Sequence, residues 1–181
     1  KARRTALGAA ERIAAAEGLA RQLAQLPEMS RPGYLAGYWA VGGEISLHAV
    51  MTRLAEGVVY CLPCLREDGG LGFAPWRPGD PLAANRFGIP EPDVARSSLL
   101  EPEALSVVLM PLLGFSRDGT RLGMGGGWYD RSFAFRRTRP APPLLIAVGY
   151  AIQECSGLAA EDWDVRPDLL VTERETLRHA P

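Results

Sequence analysis

Arg121-Leu122-Gly123-Met124-Gly125-Gly126-Gly127-Trp128-Tyr129-Asp130-Arg131 gathers the residue types that handle phosphate. Four of its glycines fall within five positions. Glycine adopts backbone conformations closed to other residues and lets a ligand approach the main chain. Successive N–H groups in such a loop form a concave nest for an anion. A helix starting near Trp128 would add its free N–H groups and dipole to that preference. Arg121 and Arg131 would supply fixed positive charge, and Asp130 a hard oxygen ligand for magnesium. Two other phosphate loops do not fit. A Walker loop needs Lys-Ser/Thr after its last glycine, where Trp128-Tyr129 stands. The dinucleotide fingerprint needs a glycine at Trp128. A bare turn between strand and helix would explain the glycines, but not the flanking Arg and the Trp-Tyr-Asp-Arg tail.

The elements that must position this loop follow from apolar periodicity and from Pro and Gly punctuation. Residues 1 to about 27 read as a helix rich in Ala, Leu, Arg and Glu, with Leu19, Leu23 and Leu26 on its apolar face. Strands are expected over 34–39, 58–62, 71–76, 105–110, 144–150 and 169–172. Further helices are expected over 44–56 and 129–136. Residues 75–92, dense in Pro and Gly, read as a structured loop across the surface. Alternation of apolar strands with helices predicts an α/β fold: one domain spanning 1–181, with a mainly parallel central sheet flanked by helices. Ligands in such sheets gather beyond the carboxyl ends of strands, and the glycine loop follows the 105–110 strand.

Composition narrows the function classes. The net charge is −1, so no global field would hold the chain on nucleic acid or an anionic membrane. No apolar run approaches a membrane span, and Lys1-Ala2-Arg3-Arg4 has no apolar stretch behind it, which argues against a signal peptide. The chain does not begin with Met, and we expect residues to be missing before Lys1. Three cysteines suit a reducing cytoplasm. Cys61-Leu62-Pro63-Cys64 has C-x-x-C spacing, yet no second pair completes a zinc site, and the pair ends an apolar run rather than opening a helix. Buried structural thiols are expected. No Ser/His/Asp or Cys/His set is visible, and His48 and His179 have no evident partners.

The glycine segment resembles the signature of the 5-formyltetrahydrofolate cyclo-ligases, also called methenyltetrahydrofolate synthetases. The resemblance spans nearly the whole chain. It includes Tyr38-Trp39 with Gly43-Glu44-Ile45, Phe87-Gly88-Ile89-Pro90-Glu91-Pro92, Met110-Pro111-Leu112-Leu113-Gly114-Phe115 with Asp118-Gly119, and Gln153, Asp164, Asp168 and Val171-Thr172-Glu173. It implies the NagB/RpiA/CoA transferase-like form of the α/β fold. It also implies ATP- and Mg²⁺-dependent closure of 5-formyltetrahydrofolate to 5,10-methenyltetrahydrofolate, by a cytoplasmic, monomeric ligase of one-carbon metabolism.

Carried over by residue, the resemblance gives Arg121, Tyr129 and Asp130 catalytic roles. Arg121, Gly123, Met124, Gly125, Gly126, Gly127, Trp128 and Tyr129 would bind ATP, with Lys1 and Arg4 standing in for a basic pair that members carry on their first helix. Asp130 would bind magnesium, and Glu44, Phe87, Trp128 and Tyr129 the folate. Simpler readings accompany these: a helix N-cap or first-turn acid for Glu44, core packing for Phe87, Trp128 and Trp39, solvent-exposed helix charge for Lys1, Arg3 and Arg4, and turn caps for Asp164 and Asp168. Many members also carry Lys or Arg inside the glycine loop, where this chain has Met124 and Gly126. That departure motivates one alternative, a folate- or nucleotide-binding relative acting as sensor or buffer. A second, resting on fold analogy, is a sugar-phosphate isomerase or CoA-transferase-like enzyme.

Overall fold

The apolar runs bounded by Pro and Gly do become the centre of the molecule. The structure, a computed structural model, describes residues 1–179, so the last two residues of the expected 1–181 domain lie outside it. The strands are β1 (Gly33–Ala36), β2 (Val58–Leu65), β3 (Leu71–Pro75), β4 (Leu82–Ala84), β5 (Pro90–Pro92), β6 (Val107–Pro111), β7 (Gly114–Phe115), β8 (Arg121–Leu122), β9 (Leu144–Val148), β10 (Leu169–Val171) and β11 (Thr176–Arg178). Seven form one sheet in the order β11-β10-β9-β6-β1-β2-β3. Neighbours from β10 through β2 run parallel, and the two edge strands β11 and β3 pair antiparallel. Two small hairpins, β4–β5 and β7–β8, stand apart from it. Among the described residues no helix is long and apolar enough to cross a membrane.

Successive residues of a strand face opposite sides, and this sheet is apolar on both. On one face Leu35, Leu109, Ile146, Val148 and Val171 meet Leu19 and Leu23. On the other Ala36, Val108, Met110 and Leu145 meet Phe73 and Phe133. Leu19 and Leu23 are fully buried and contribute about 1.5–3 kcal/mol each.

The expected first helix is broken. It forms α1 (Ala2–Thr5) and α2 (Ala9–Ala24), with Gly8 at the start of α2. The Glu11 carboxylate accepts the Gly8 N–H at 2.7 Å, and Arg12 folds back to donate to the carbonyls of Leu7, Arg4 and Thr5. Side-chain bonds to the joint thus replace the continuous helical ladder. The break turns α1 away from the α2 axis and sends Arg4 inward.

The helix expected over 44–56 shrinks to α3 (His48–Met51). The preceding segment spends its carbonyls on distant tyrosines: Tyr38 Oη donates to Ile45 O at 2.8 Å, and Tyr150 Oη to Glu44 O at 3.4 Å. The helix expected over 129–136 is α4 (Trp128–Ser132) followed by a 3-10 turn, Ala134–Arg137. The loop over 75–92 contains β4 and β5, and β7, β8 and β11 were not anticipated. C-x-x-C lies within β2, which runs past the expected end at Leu62 to Leu65. Three residues apart on a strand, Cys61 and Cys64 face opposite sides, and all three thiols are free.

Candidate active site

The carboxyl ends of β1 and β6 open onto the loops that carry the expected chemistry. After β6, the short β7–β8 hairpin delivers the glycine loop. Its turn is fixed by Asp118, whose carboxylate accepts the Ser116 hydroxyl and, at 2.9 Å, the Thr120 N–H. These bonds, the Ser116 one first, lower the Asp118 carboxyl to a pKa of about 2. Leu113 N–H donates to Leu122 O at 2.8 Å and closes the hairpin base.

Beyond Leu122, Gly125 (φ +83°) and Gly127 (φ +61°) are left-handed, and Gly126 between them is not. Alternation of this kind turns peptide N–H groups toward one side. Among the described residues, the N–H groups of Gly123 through Gly127 donate to no backbone acceptor. A side chain at Gly125 would meet nothing within 4 Å, so open space faces the loop. The donors of this loop are therefore unspent among the described residues. The dipole expected to assist it is slight, because α4 has five residues.

Arg121 and Asp130 flank the nest and meet. Arg121 Nη2 lies 2.6 Å from Asp130 Oδ1, and the side chains are 6% and 17% exposed. The same Oδ1 accepts the Val165 N–H at 3.2 Å. The Nε of Arg121 is buried and has no hydrogen-bond partner among the described residues. Arg131 differs from expectation. It donates to Gly69 O and Gly126 O, each at 2.8 Å, and stacks over Trp128, so it clamps the loop rather than offering free charge. Tyr129, half-buried, stacks on Phe133 with ring centroids 6.3 Å apart. Burial raises its phenol pKa well above the ordinary value; the nearby Glu44 charge adds to this and Arg121 opposes it.

A second cluster joins residues far apart in sequence. Arg4, 1% exposed, donates from Nε to Gly42 O (3.1 Å) and from Nη1 to Leu112 O (2.9 Å). Its Nη2 lies 3.7 Å from the thioether sulfur of Met124 and 3.8 Å from Glu44 Oε1. The reading of Arg4 as exposed helix charge is thus wrong. Lys1 is exposed and outside this cluster, and Arg3 donates to Ile152 O and Glu154 O. Glu44 is not a helix cap either. Gly42 and Gly43, at φ +56° and +80°, form a turn in which Glu44 Oε2 accepts the Val41 N–H at 3.0 Å. Burial raises the Glu44 carboxyl pKa, against the opposing pull of the Val41 N–H and Arg4.

Phe87 stands outside the core and forms an aromatic wall with Trp128, which also packs against the core as the simpler reading expects. Phe87 is 59% exposed, and its ring meets Trp128 edge-on at 6.2 Å. Arg86 caps both rings, its guanidinium carbon 5.2 Å from one centroid and 5.3 Å from the other. Trp39, expected in the core, is 38% exposed and meets Trp76 edge-on. Asp164 accepts the Glu161 N–H as a turn cap. Asp168 does more, holding Arg136 with both oxygens and accepting the Leu145 N–H. The residues missed from the sequence are Arg86, the Gly42–Gly43 turn and the Leu112 carbonyl. Only the glycine pair carried a local signal.

Among the described residues no group of three or more His, Cys, Asp and Glu could hold a metal alone. Asp130 keeps Oδ2 clear of any hydrogen bond, which suits magnesium held by one carboxylate and by phosphate oxygens.

Comparison with known proteins identifies the family and the fold. The 5-formyltetrahydrofolate cyclo-ligase family matches residues 1–173. The 5-formyltetrahydrofolate cyclo-ligase of Haemophilus influenzae is 32% identical over 90% of this chain and 87% of its own. That of Escherichia coli K12 is 30% identical over 94% of each. The solved 5,10-methenyltetrahydrofolate synthetase of Aquifex aeolicus has a TM-score of 0.79 at 28% identity, covering 97% of this chain and 86% of that one. The Mycoplasma pneumoniae synthetase shares the fold, with a TM-score of 0.70 at 24% identity, covering 94% and 92%.

Proposed function

Because this chain belongs to the 5-formyltetrahydrofolate cyclo-ligase family, we propose that it closes 5-formyltetrahydrofolate to 5,10-methenyltetrahydrofolate, consuming ATP in the presence of Mg²⁺. Family membership makes it a ligase, and we place it in the cytoplasm as a monomer. The observation that carries the reading is the run of unspent N–H donors from Gly123 to Gly127, flanked by the Arg121–Asp130 pair.

Amide resonance makes the formyl carbon unreactive and its oxygen a poor leaving group. Transfer of the γ-phosphoryl group to that oxygen gives an imidoyl phosphate and ADP. N10 of the folate then forms a bond to the formyl carbon, phosphate departs with the former formyl oxygen, and the N10 proton is lost. The protein's part is positioning and charge neutralisation. The glycine-loop N–H groups and the Arg121 charge hold the phosphates. Asp130 would hold magnesium through Oδ2, and the metal would spread charge developing on the phosphates. Phe87, Trp128 and Tyr129 border the folate rings, and Glu44 hydrogen-bonds their polar edge. The cation that the loop lacks comes from Arg4, beside Met124. Its position answers the departure that motivates a binding-only relative.

Purified protein given 5-formyltetrahydrofolate, ATP and Mg²⁺ should produce methenyltetrahydrofolate and ADP in equal amounts, and neither product without ATP. Tight binding of both substrates without turnover would refute the ligase reading and favour the binding-only one.

A further inference from the structure

A cavity of about 830 Å³ opens beside the aromatic wall, between the end of β2, the tip of the β4–β5 hairpin and the segment after β5. Three arginines line it, and two of them are already engaged. Arg66 Nη2 lies 2.6 Å from Glu101 Oε1, and Arg96 Nη2 lies 3.4 Å from the buried Glu91. Glu91 also accepts the Leu65 N–H and the Asn85 amide, each at 2.8 Å, which fixes the hairpin tip onto β2. Asn85 Oδ1 in turn accepts the N–H groups of Phe87 and Ile89, so the residues flanking Arg86 are held rigidly.

Arg86 is different. Among the described residues its guanidinium makes no ion pair or hydrogen bond, and its contacts are the faces of Phe87 and Trp128. The two rings meet at 74°, so the guanidinium lies flat on one of them at most, and its N–H donors have no oxygen or nitrogen acceptor among the described residues. Such a group takes a carboxylate in two parallel hydrogen bonds. Glu67 and Asp68 also line the cavity, so it is no general anion trap, and Asp68 is committed to the Gly70 N–H at 2.9 Å. An anion is favoured only where it touches Arg86.

We propose that this cavity receives the glutamyl tail of the folate, with Arg86 binding a tail carboxylate while Phe87 and Trp128 border the rings. This rests on the folate reading above. Arg86 touches both rings of the wall and also lines the cavity, so a substrate whose rings lie against the wall has the cavity within reach of its benzoyl-glutamate. Arg86 is then a specificity-determining residue that acts on binding and not on the phosphoryl step.

The test pairs a side-chain change with a substrate truncation. KM and kcat are measured for wild type, Arg86→Gln and Arg86→Lys, with 5-formyltetrahydrofolate and with 5-formyltetrahydropteroate, which lacks the glutamate. Arg86→Gln should raise KM for the folate by on the order of tenfold more than for the pteroate, with kcat little affected. Arg86→Lys should recover part of that difference by restoring the charge. Equal factors on both compounds would show that Arg86 only props the aromatic wall, and no change on either would show that it does nothing here. Both overturn the proposal. If wild type converts neither compound, the ligase reading has failed. Calorimetry with p-aminobenzoyl-glutamate then still decides the carboxylate site: binding by wild type that Arg86→Gln abolishes supports it, and no binding by wild type overturns it.

Discussion

The Arg121–Asp130 pair should couple folding to phosphate chemistry, and a double-mutant cycle measures both. Its 2.6 Å contact is largely screened from water, at 6% and 17% exposure. Removing one partner of a buried pair costs roughly 3–5 kcal/mol, because the remaining charge is left unmatched. Arg121→Met should fall at the low end, about 3 kcal/mol, since Asp130 keeps the Val165 N–H and some solvent. For a domain of this length a kilocalorie shifts Tm by roughly 2–4 °C, so the expected fall is about 6–12 °C. Asp130→Asn should also destabilise, while the double variant should cost less than the sum by roughly 1–3 kcal/mol. Thermal and urea unfolding, followed by circular dichroism, give these values. Methenyltetrahydrofolate formation across a magnesium titration gives the functional arm, where Asp130→Asn should require more magnesium than wild type. Additivity within about 0.5 kcal/mol would refute the pair as a preorganised unit. An unchanged magnesium dependence would refute the metal assignment.

Glu44→Gln should separate stability from activity. Because burial raises the native Glu44 carboxyl pKa, the native state retains its proton while the unfolded chain loses it as pH rises. Glu44 therefore lowers stability progressively through the window above its unfolded pKa, and the loss is complete above its native pKa. Glu44→Gln should raise Tm relative to wild type at pH 7 more than at pH 4, and reduce turnover; a pH-independent Tm difference would refute this. Gly125→Val should weaken ATP binding while leaving the domain folded, because the site is open and its backbone strain is local, about 1–2 kcal/mol; calorimetry showing normal ATP affinity would sink the nest. Burial raises the thiol pKa of Cys61 to about 12 and of Cys64 to about 11. Native protein should therefore react with a thiol reagent at Cys155 first, with the other two appearing only on unfolding, as mass mapping of labelled peptides would show.

The parts of this molecule legible in its sequence are those set by short-range rules. The β6 and β9 runs, apolar and closed by Pro111 and Gly149, come out as adjacent parallel strands. The glycine loop lies where a loop after a central strand must lie. Where the reading failed, a distant partner decided the outcome. Residues 44–56 have helical periodicity at Ile45, Val50, Met51 and Leu54, yet Tyr38 and Tyr150 take the carbonyls of Ile45 and Glu44, and neither bond leaves a trace in the local pattern. Gly8 with Glu11 is the exception, a capping signal three residues apart that marks the start of α2 in the sequence itself.

Arg4 shows why residue type and position were insufficient for the site. Lys1, Arg3 and Arg4 look equivalent in sequence, and four residues of helix allow only one of them to point inward. The Gly8 break selects Arg4, and the carbonyls of Gly42 and Leu112 then bind its guanidinium in a place where an unpaired charge would be costly. Glu44 forms only a long ion pair with Arg4, at 3.8 Å and beyond hydrogen-bonding distance, and Met124 lies beside the same guanidinium nitrogen. On the proposed function, Arg4 would then bring to the phosphates, from the element packed against the loop, the positive charge that Met124 does not carry.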